Sequence, residues 1–195
     1  MRTVVVIFAI VMNLALGDAL VKEYAIRHLK GADPVTVIDG FFSLAYVENR
    51  GCAWGMLQGQ VWPLAAFALA AFALIVWNRR AIFSAEGVAF KPRLCAFLAR
   101  AAECLLYAGI FGNFIDRVMR GFVVDMFDFH WGESHFPCFN LADTYISLAA
   151  AILVVLGFLP RAPRPGAPLR NRAGFGKIHT QTQKEVGDIS DSSRV

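Results

Sequence analysis

Four apolar stretches, each close to the length that crosses a bilayer, constrain this chain more than any other feature. They cover residues 4–21, 62–78, 94–111 and 144–159. A spanning helix needs about 20 mostly apolar residues at 1.5 Å rise each. The second stretch is bracketed by Trp62 and Trp77, indoles placed as an interfacial belt would place them, with Pro63 in the tolerant first turn. The 57% hydrophobic and 17% charged content depart in opposite directions from a soluble domain. With 195 residues there is room for one domain and no large transporter. The fold class expected is an all-α polytopic membrane protein of four transmembrane helices.

Charge sets the orientation, because Lys and Arg in short loops stay in the cytoplasm. Residue 2, the connector 79–93 and the tail 161–195 hold twelve of them, whereas the longer connectors 22–60 and 112–142 hold six. Both termini are therefore expected inside and the long loops outside, with residues 1–160 as the membrane domain. A cleaved signal peptide ending near Ala15 and Gly17 is the rival reading of the first stretch. Ten of the fifteen acidic residues lie in or beside the outer loops. Chemistry is expected there.

Residues 35–47 are β-branched and aromatic around an Asp39-Gly40 turn signal, which predicts a small sheet at the membrane surface. Asn49-Arg50-Gly51 predicts a second turn, followed by the tight Cys52-Ala53-Trp54-Gly55. The loop 112–142 is rich in Phe and predicts an amphipathic aromatic segment beside that sheet, half sunk among headgroups. The tail from Arg161 carries Pro163, Pro165 and Pro168 among Arg residues, a composition expected to stay disordered. No CxxC or His-paired zinc spacing occurs among four Cys and four His, and no base-reading pattern marks a nucleic-acid binder. Cys52 and Cys138 have the option of pairing, with free thiols as the other state.

Ionisable groups at membrane depth are costly and point to function. On a helix Asn113, Asp116 and Arg117 share a face, and a structural Asp116–Arg117 clamp is the plainer reading. Asp125 has apolar neighbours that raise a carboxyl pKa, and Asp128 follows three residues later. Asn140 is placed to cap the fourth helix, with Asp143 at its third position. Two carboxylates in such unlike surroundings can share one proton, as aspartic proteases require, although spacing alone does not bring Asp125 and Asp143 together. A proton-coupled carrier is the rival from another class, and a non-catalytic scaffold is a third.

Gly112-Asn113-x-x-Asp116-Arg117, Val123-Val124-Asp125 and Phe139-Asn140-x-Ala142-Asp143 together resemble the signature blocks of the lipoprotein signal peptidase (signal peptidase II) family. Asp18 with Lys22, and Val47-x-Asn49-x-Gly51 with Gly55, resemble its upstream blocks. The resemblance runs in order over about residues 10–160. It implies an aspartic endopeptidase of the bacterial inner membrane that cuts prolipoproteins just before a diacylglyceryl-modified cysteine. It implies Asp125 and Asp143 as the catalytic pair, without metal or cofactor. Asn49, Gly112, Asn113, Arg117, Asn140 and Ala142 fall around the active site by the same resemblance, and Asp18, Lys22 and Asp116 support the structure. The implied partners are lipidated signal peptides and membrane lipid, met by a monomer with no role for nucleic acid. Cys52 and Cys138 stand where the family pattern has small alanines, and Arg100 and Glu103 bring charge into the third helix, where their spacing allows a pair.

Overall fold

The structure, a computed structural model, describes residues 2–52 and 56–161. The expected disorder of the tail beyond Arg161, and the tight step at residues 53–55, lie outside the described residues. The elements in chain order are helix α1 (Arg2–His28), strands β1 (Val35–Ile38) and β2 (Phe42–Asn49), helices α2 (Val61–Trp77), α3 (Arg79–Ile82) and α4 (Pro92–Arg120), strands β3 (Val123–Trp131) and β4 (Ser134–His135), and helix α5 (Leu141–Phe158).

Three helices, α1, α4 and α5, are long and apolar enough to cross a membrane, while α2, more apolar than any of them, stops at 17 residues. Two of them outrun their apolar stretches. Helix α1 continues past Val21 because Lys22 and Ala25 prolong a buried face, which Leu29 extends just beyond its last residue. Helix α4 continues to Arg120, where Gly121 takes a left-handed φ of 75° and its N–H closes on the Arg117 carbonyl at 3.2 Å. The outer faces of these helices carry exposed apolar side chains such as Val4, Phe8, Phe67, Phe97 and Val155. That surface suits hydrocarbon, which satisfies apolar groups as well as a protein core does.

The sheet corrects one expectation. Its order is β1-β2-β3-β4, all antiparallel, so two of its strands come from the stretch expected to form a separate amphipathic segment. The residues Val123-Val124-Asp125-Met126-Phe127-Asp128-Phe129 are β-branched and aromatic, types that suit a pleated strand, although their aspartates recur every three residues rather than every two. One face of β3 lays Val124 and Met126 on Ala25 and Leu29 at the end of α1. The other face turns Asp125 and Phe127 toward the start of α5, where Phe127 pairs its backbone with Phe139. Asp125 and Asp128 therefore point to opposite faces, which helical spacing would not have produced.

Helix α4 packs against α1, α2 and α5. Its approach to α5 is so close that a Cβ on Gly109 would lie 2.5 Å from the Ala142 carbonyl oxygen and 2.6 Å from Ile146 Cγ1. A Cβ on Gly112 would lie 2.6 Å from Asp18 Oδ2. Small residues at these two positions let the polar ends of three helices converge.

Gly109→Ala is expected to lower stability by about 1–3 kcal/mol through overpacking, despite alanine's better helix propensity. Gly157→Ala, where a Cβ meets nothing within 4 Å, is expected to be neutral or to gain up to about 1 kcal/mol. Thermal unfolding of both variants in one detergent checks the contrast, and equal effects would remove the close-packing account.

Candidate active site

The last turns of α1, the last turns of α4, the middle of β3 and the first turn of α5 converge on one polar cluster. Asn140 caps α5 from an extended conformation, its side chain accepting from the Asp143 N–H at 2.9 Å. The Asp143 carboxylate returns the bond by accepting from the Asn140 N–H at 3.3 Å. This capping box was expected from the residues alone, and it sets the Asp143 carboxylate at the helix mouth, where the dipole favours negative charge.

Asp125 arrives from the sheet. Its Oδ1 accepts from Asn140 Nδ2 at 2.7 Å, and its Oδ2 accepts from Asn49 Nδ2 at 3.0 Å. Asn49 is the diagonal neighbour of Asp125 on the same face of the β2–β3 pair, since Val47 lies opposite Asp125 and Asn49 opposite Val123. Asn140 thus touches both carboxylates, one through its amide and one through its backbone. Asn113 completes the ring by donating Nδ2 to Asp143 Oδ1 at 2.7 Å while its Oδ1 accepts from Asn140 Nδ2 at 3.2 Å.

The two carboxylates stand in different surroundings. Asp125 is 1% exposed and Asp143 is only partly buried. Burial, reinforced by the Asp143 charge, pushes the Asp125 carboxyl up to about 7 against the pull of its Asn49 and Asn140 donors. The pair is therefore able to retain a proton at a pH where an ordinary carboxyl has lost it. Cys138 is a poor nucleophile in comparison, because burial and the charges of Asp128 and Asp125 raise its thiol to about 11.

Beneath the ring lies Lys22, 1% exposed. Its Nζ reaches Asp18 Oδ2 at 2.8 Å, Asp116 Oδ2 at 3.0 Å and Asn113 Oδ1 at 3.0 Å. Asp18 Oδ1 accepts from the Ala142 N–H at 2.9 Å, and Asp116 Oδ2 accepts from the Val124 N–H at 3.3 Å. The expected Asp116–Arg117 clamp does not form. Asp116 pairs with Arg120 one helical turn on, whereas Arg117 donates to the Asn113 carbonyl at 3.2 Å and the Gly51 carbonyl at 3.1 Å. Arg120 was missed, although its i, i+4 spacing from Asp116 was there to be read.

The eleven residues that the family resemblance assigned to the site or its support meet here. Asn49, Asn113, Asp125, Asn140 and Asp143 form the ring, Asp18, Lys22 and Asp116 form the layer below, and Gly112 and Ala142 are the close-packed backbone between them. Arg117 ties the turn at Gly51 to α4. Asp128 belongs to another cluster, facing His135 Nδ1 at 2.8 Å. Among the described residues the four cysteines are free, and no group of three or more His, Cys, Asp and Glu side chains is arranged to hold a metal ion.

The family model described as signal peptidase (SPase) II matches residues 9–159. A lipoprotein signal peptidase of Clostridium acetobutylicum is 34% identical over 145 residues, covering 72% of this chain and 88% of its own. One from Bacillus pumilus is 36% identical over 138 residues, covering 71% and 83%. A bacterial membrane enzyme solved by the in meso method at 2.3 Å superposes with a TM-score of 0.63 at 27% identity, over 77% of this chain and 85% of that one. A second, solved at 1.9 Å, gives a TM-score of 0.62 at 27% identity, over 78% and 92%. With the family model spanning most of its length and the polar ring at its centre, the chain belongs to the signal peptidase II family, membrane proteases that remove signal peptides from prolipoproteins.

Proposed function

We propose that Asp125 and Asp143 are the catalytic pair of an aspartic endopeptidase that cuts before the diacylglyceryl-modified cysteine of a prolipoprotein. The observation that supports this reading best is the shared Asn140, which holds one buried and one partly exposed carboxylate side by side. Asp143, served by the Asn113 amide and the Asn140 N–H, is suited to act as the base that takes a proton from water. The resulting hydroxide oxygen bonds to the scissile carbonyl carbon, and the carbonyl oxygen takes the proton of Asp125. Collapse of the tetrahedral intermediate breaks the C–N bond, and the departing nitrogen carries away the proton held by Asp143. The oxygen proton returns to Asp125, which restores the pair. No metal or covalent enzyme intermediate enters this scheme.

The supporting roles follow from contacts. Asn49, Asn113 and Asn140 orient the carboxylates, Lys22 with Asp18 and Asp116 holds α1, α4 and α5 in register, and Arg117 steadies the turn at Gly51 beside the pair. In this reading α2 is the fourth span, both termini are cytoplasmic and the carboxylates lie near the outer leaflet. Substrate then enters sideways, its acyl chains staying in lipid while the peptide rests against the sheet, and the enzyme works as a monomer.

Asp125→Asn and Asp143→Asn are each expected to lower cleavage of a purified lipidated prolipopeptide by at least ~10²–10⁴-fold, the usual worth of a positioned acid or base. Both variants should keep the wild-type melting profile within a few degrees, and normal cleavage by either would sink the assignment. An unlipidated peptide of the same sequence is expected to be a much poorer substrate.

A pH profile tests the proton's address. Asp125 must be protonated to act as the acid, and its carboxyl titrates at about 7. As pH rises through that value the proton is lost, so kcat/KM is expected to fall about tenfold per unit on the alkaline side. A flat profile from about pH 6 to 9 would exclude this division of labour.

A further inference from the structure

Nearer the start of α4 than the carboxylate pair, and about as far from Pro92 as from Asn113, lies a second charged cluster. Glu103 is 1% exposed and sits ten residues before Asn113, about 15 Å along the helix. Arg79, just past the end of α2, grips its Oε1 through Nε at 2.8 Å and Nη2 at 2.6 Å. Arg100 donates Nη1 to Oε2 at 2.9 Å. Two guanidiniums thus face one carboxylate, and the cluster carries one net positive charge.

Arg79 by itself neutralises Glu103, with two donors in a fork. Arg100 serves the other oxygen through Nη1 alone, which leaves its further N–H donors and a net positive charge for another partner. Its side chain is 49% exposed, and it borders a groove of about 300 Å³ between α1 and α4. The remaining walls are apolar, from Ile10, Leu14, Phe97, Ala101 and Leu105 among others. A guanidinium beside a hydrocarbon-lined groove to which Arg100 contributes its aliphatic stem, level with the end of the apolar helix α2, offers more than a bare acyl chain can use. It matches an amphiphile with an anionic head. Arg80, Lys91 and Arg93 on the same end of the bundle add to the positive field.

We propose that this groove binds an acidic glycerophospholipid of the leaflet opposite the carboxylate pair, one acyl chain lying between α1 and α4 and the phosphate bonded to Arg100. A guanidinium fork matches phosphate oxygens, and basic pockets between membrane helices favour acidic over zwitterionic headgroups. The bound lipid packs α1 against α4, the two helices that carry Lys22 and Asn113. This binding is independent of the assignment of Asp125 and Asp143.

The test uses the full chain in nanodiscs of phosphatidylglycerol and phosphatidylcholine in equal amounts with identical acyl chains, released and weighed by native mass spectrometry. The wild type is expected to retain phosphatidylglycerol over phosphatidylcholine by about fivefold, the worth of one basic contact. Arg100→Gln should bring the ratio near one. Ala101→Phe, which fills the groove and leaves every charge in place, should reduce the number of retained lipids; it decides the matter if Arg100→Gln fails to fold. An absence of preference in the wild type, or its survival in Arg100→Gln, overturns the headgroup contact, and unchanged retention in Ala101→Phe overturns the groove. Displacement by soluble glycerol 3-phosphate would show a simple anion site and overturn the acyl part of the proposal.

Discussion

A lysine ammonium buried where water does not reach has to be matched by anions, and the rest of this structure is arranged around meeting that demand. Lys22 takes Asp18 from its own helix, Asp116 from α4 and the side-chain oxygen Oδ1 of Asn113. Each carboxylate then spends its second capacity on a neighbouring backbone N–H, Asp18 on Ala142 and Asp116 on Val124. One cation therefore ties together α1, α4, the first turn of α5 and the head of β3. Taking such charges out of water is expensive, so the cluster is a weak source of stability. What it supplies is registry, because few other arrangements satisfy all of its members at once.

That registry is what the polar ring above it inherits. Asn113 is held from below by Lys22 and presents its amide nitrogen upward to Asp143. Asn140 is held by its helix cap and by Asn113, leaving its amide to meet Asp125. The side-chain amides act as fixed spacers whose donor and acceptor ends cannot be exchanged without breaking a bond. The same convergence explains why Gly109 and Gly112 lie where α4 meets α5 and α1. Any side chain there would separate the helix ends that carry the ring.

Much of this was legible in the residues. Hydropathy marked the helices, because a bilayer demands long apolar runs, and the Asn140–Asp143 cap was visible because capping is local and depends on a spacing of three. The ends of α1 and α4 were harder, since both helices continue as amphipathic turns after the apolar run stops. Strand β3 was obscured by its aromatic content, which suited a headgroup-embedded segment equally well, and by aspartates three residues apart, a spacing that suits a helix better than a strand. The partner of Asp116 was misassigned to Arg117 because adjacency in sequence outweighed helical spacing, which favours Arg120. The Arg79–Glu103 bond joins separate helices, so no local pattern announced it.

The sequence by itself determined the membrane class, the positions of the apolar helices, the cap at α5 and the inventory of polar residues, for these rest on composition and on spacings of a few residues. Only the tertiary structure decided that Asp125 and Asp143 stand together. They come from a strand and a helix whose relative placement depends on the Phe127–Phe139 backbone pairing and on the buried Lys22 cluster. Such contacts join residues far apart in the chain, and spacing along a sequence carries no measure of that distance.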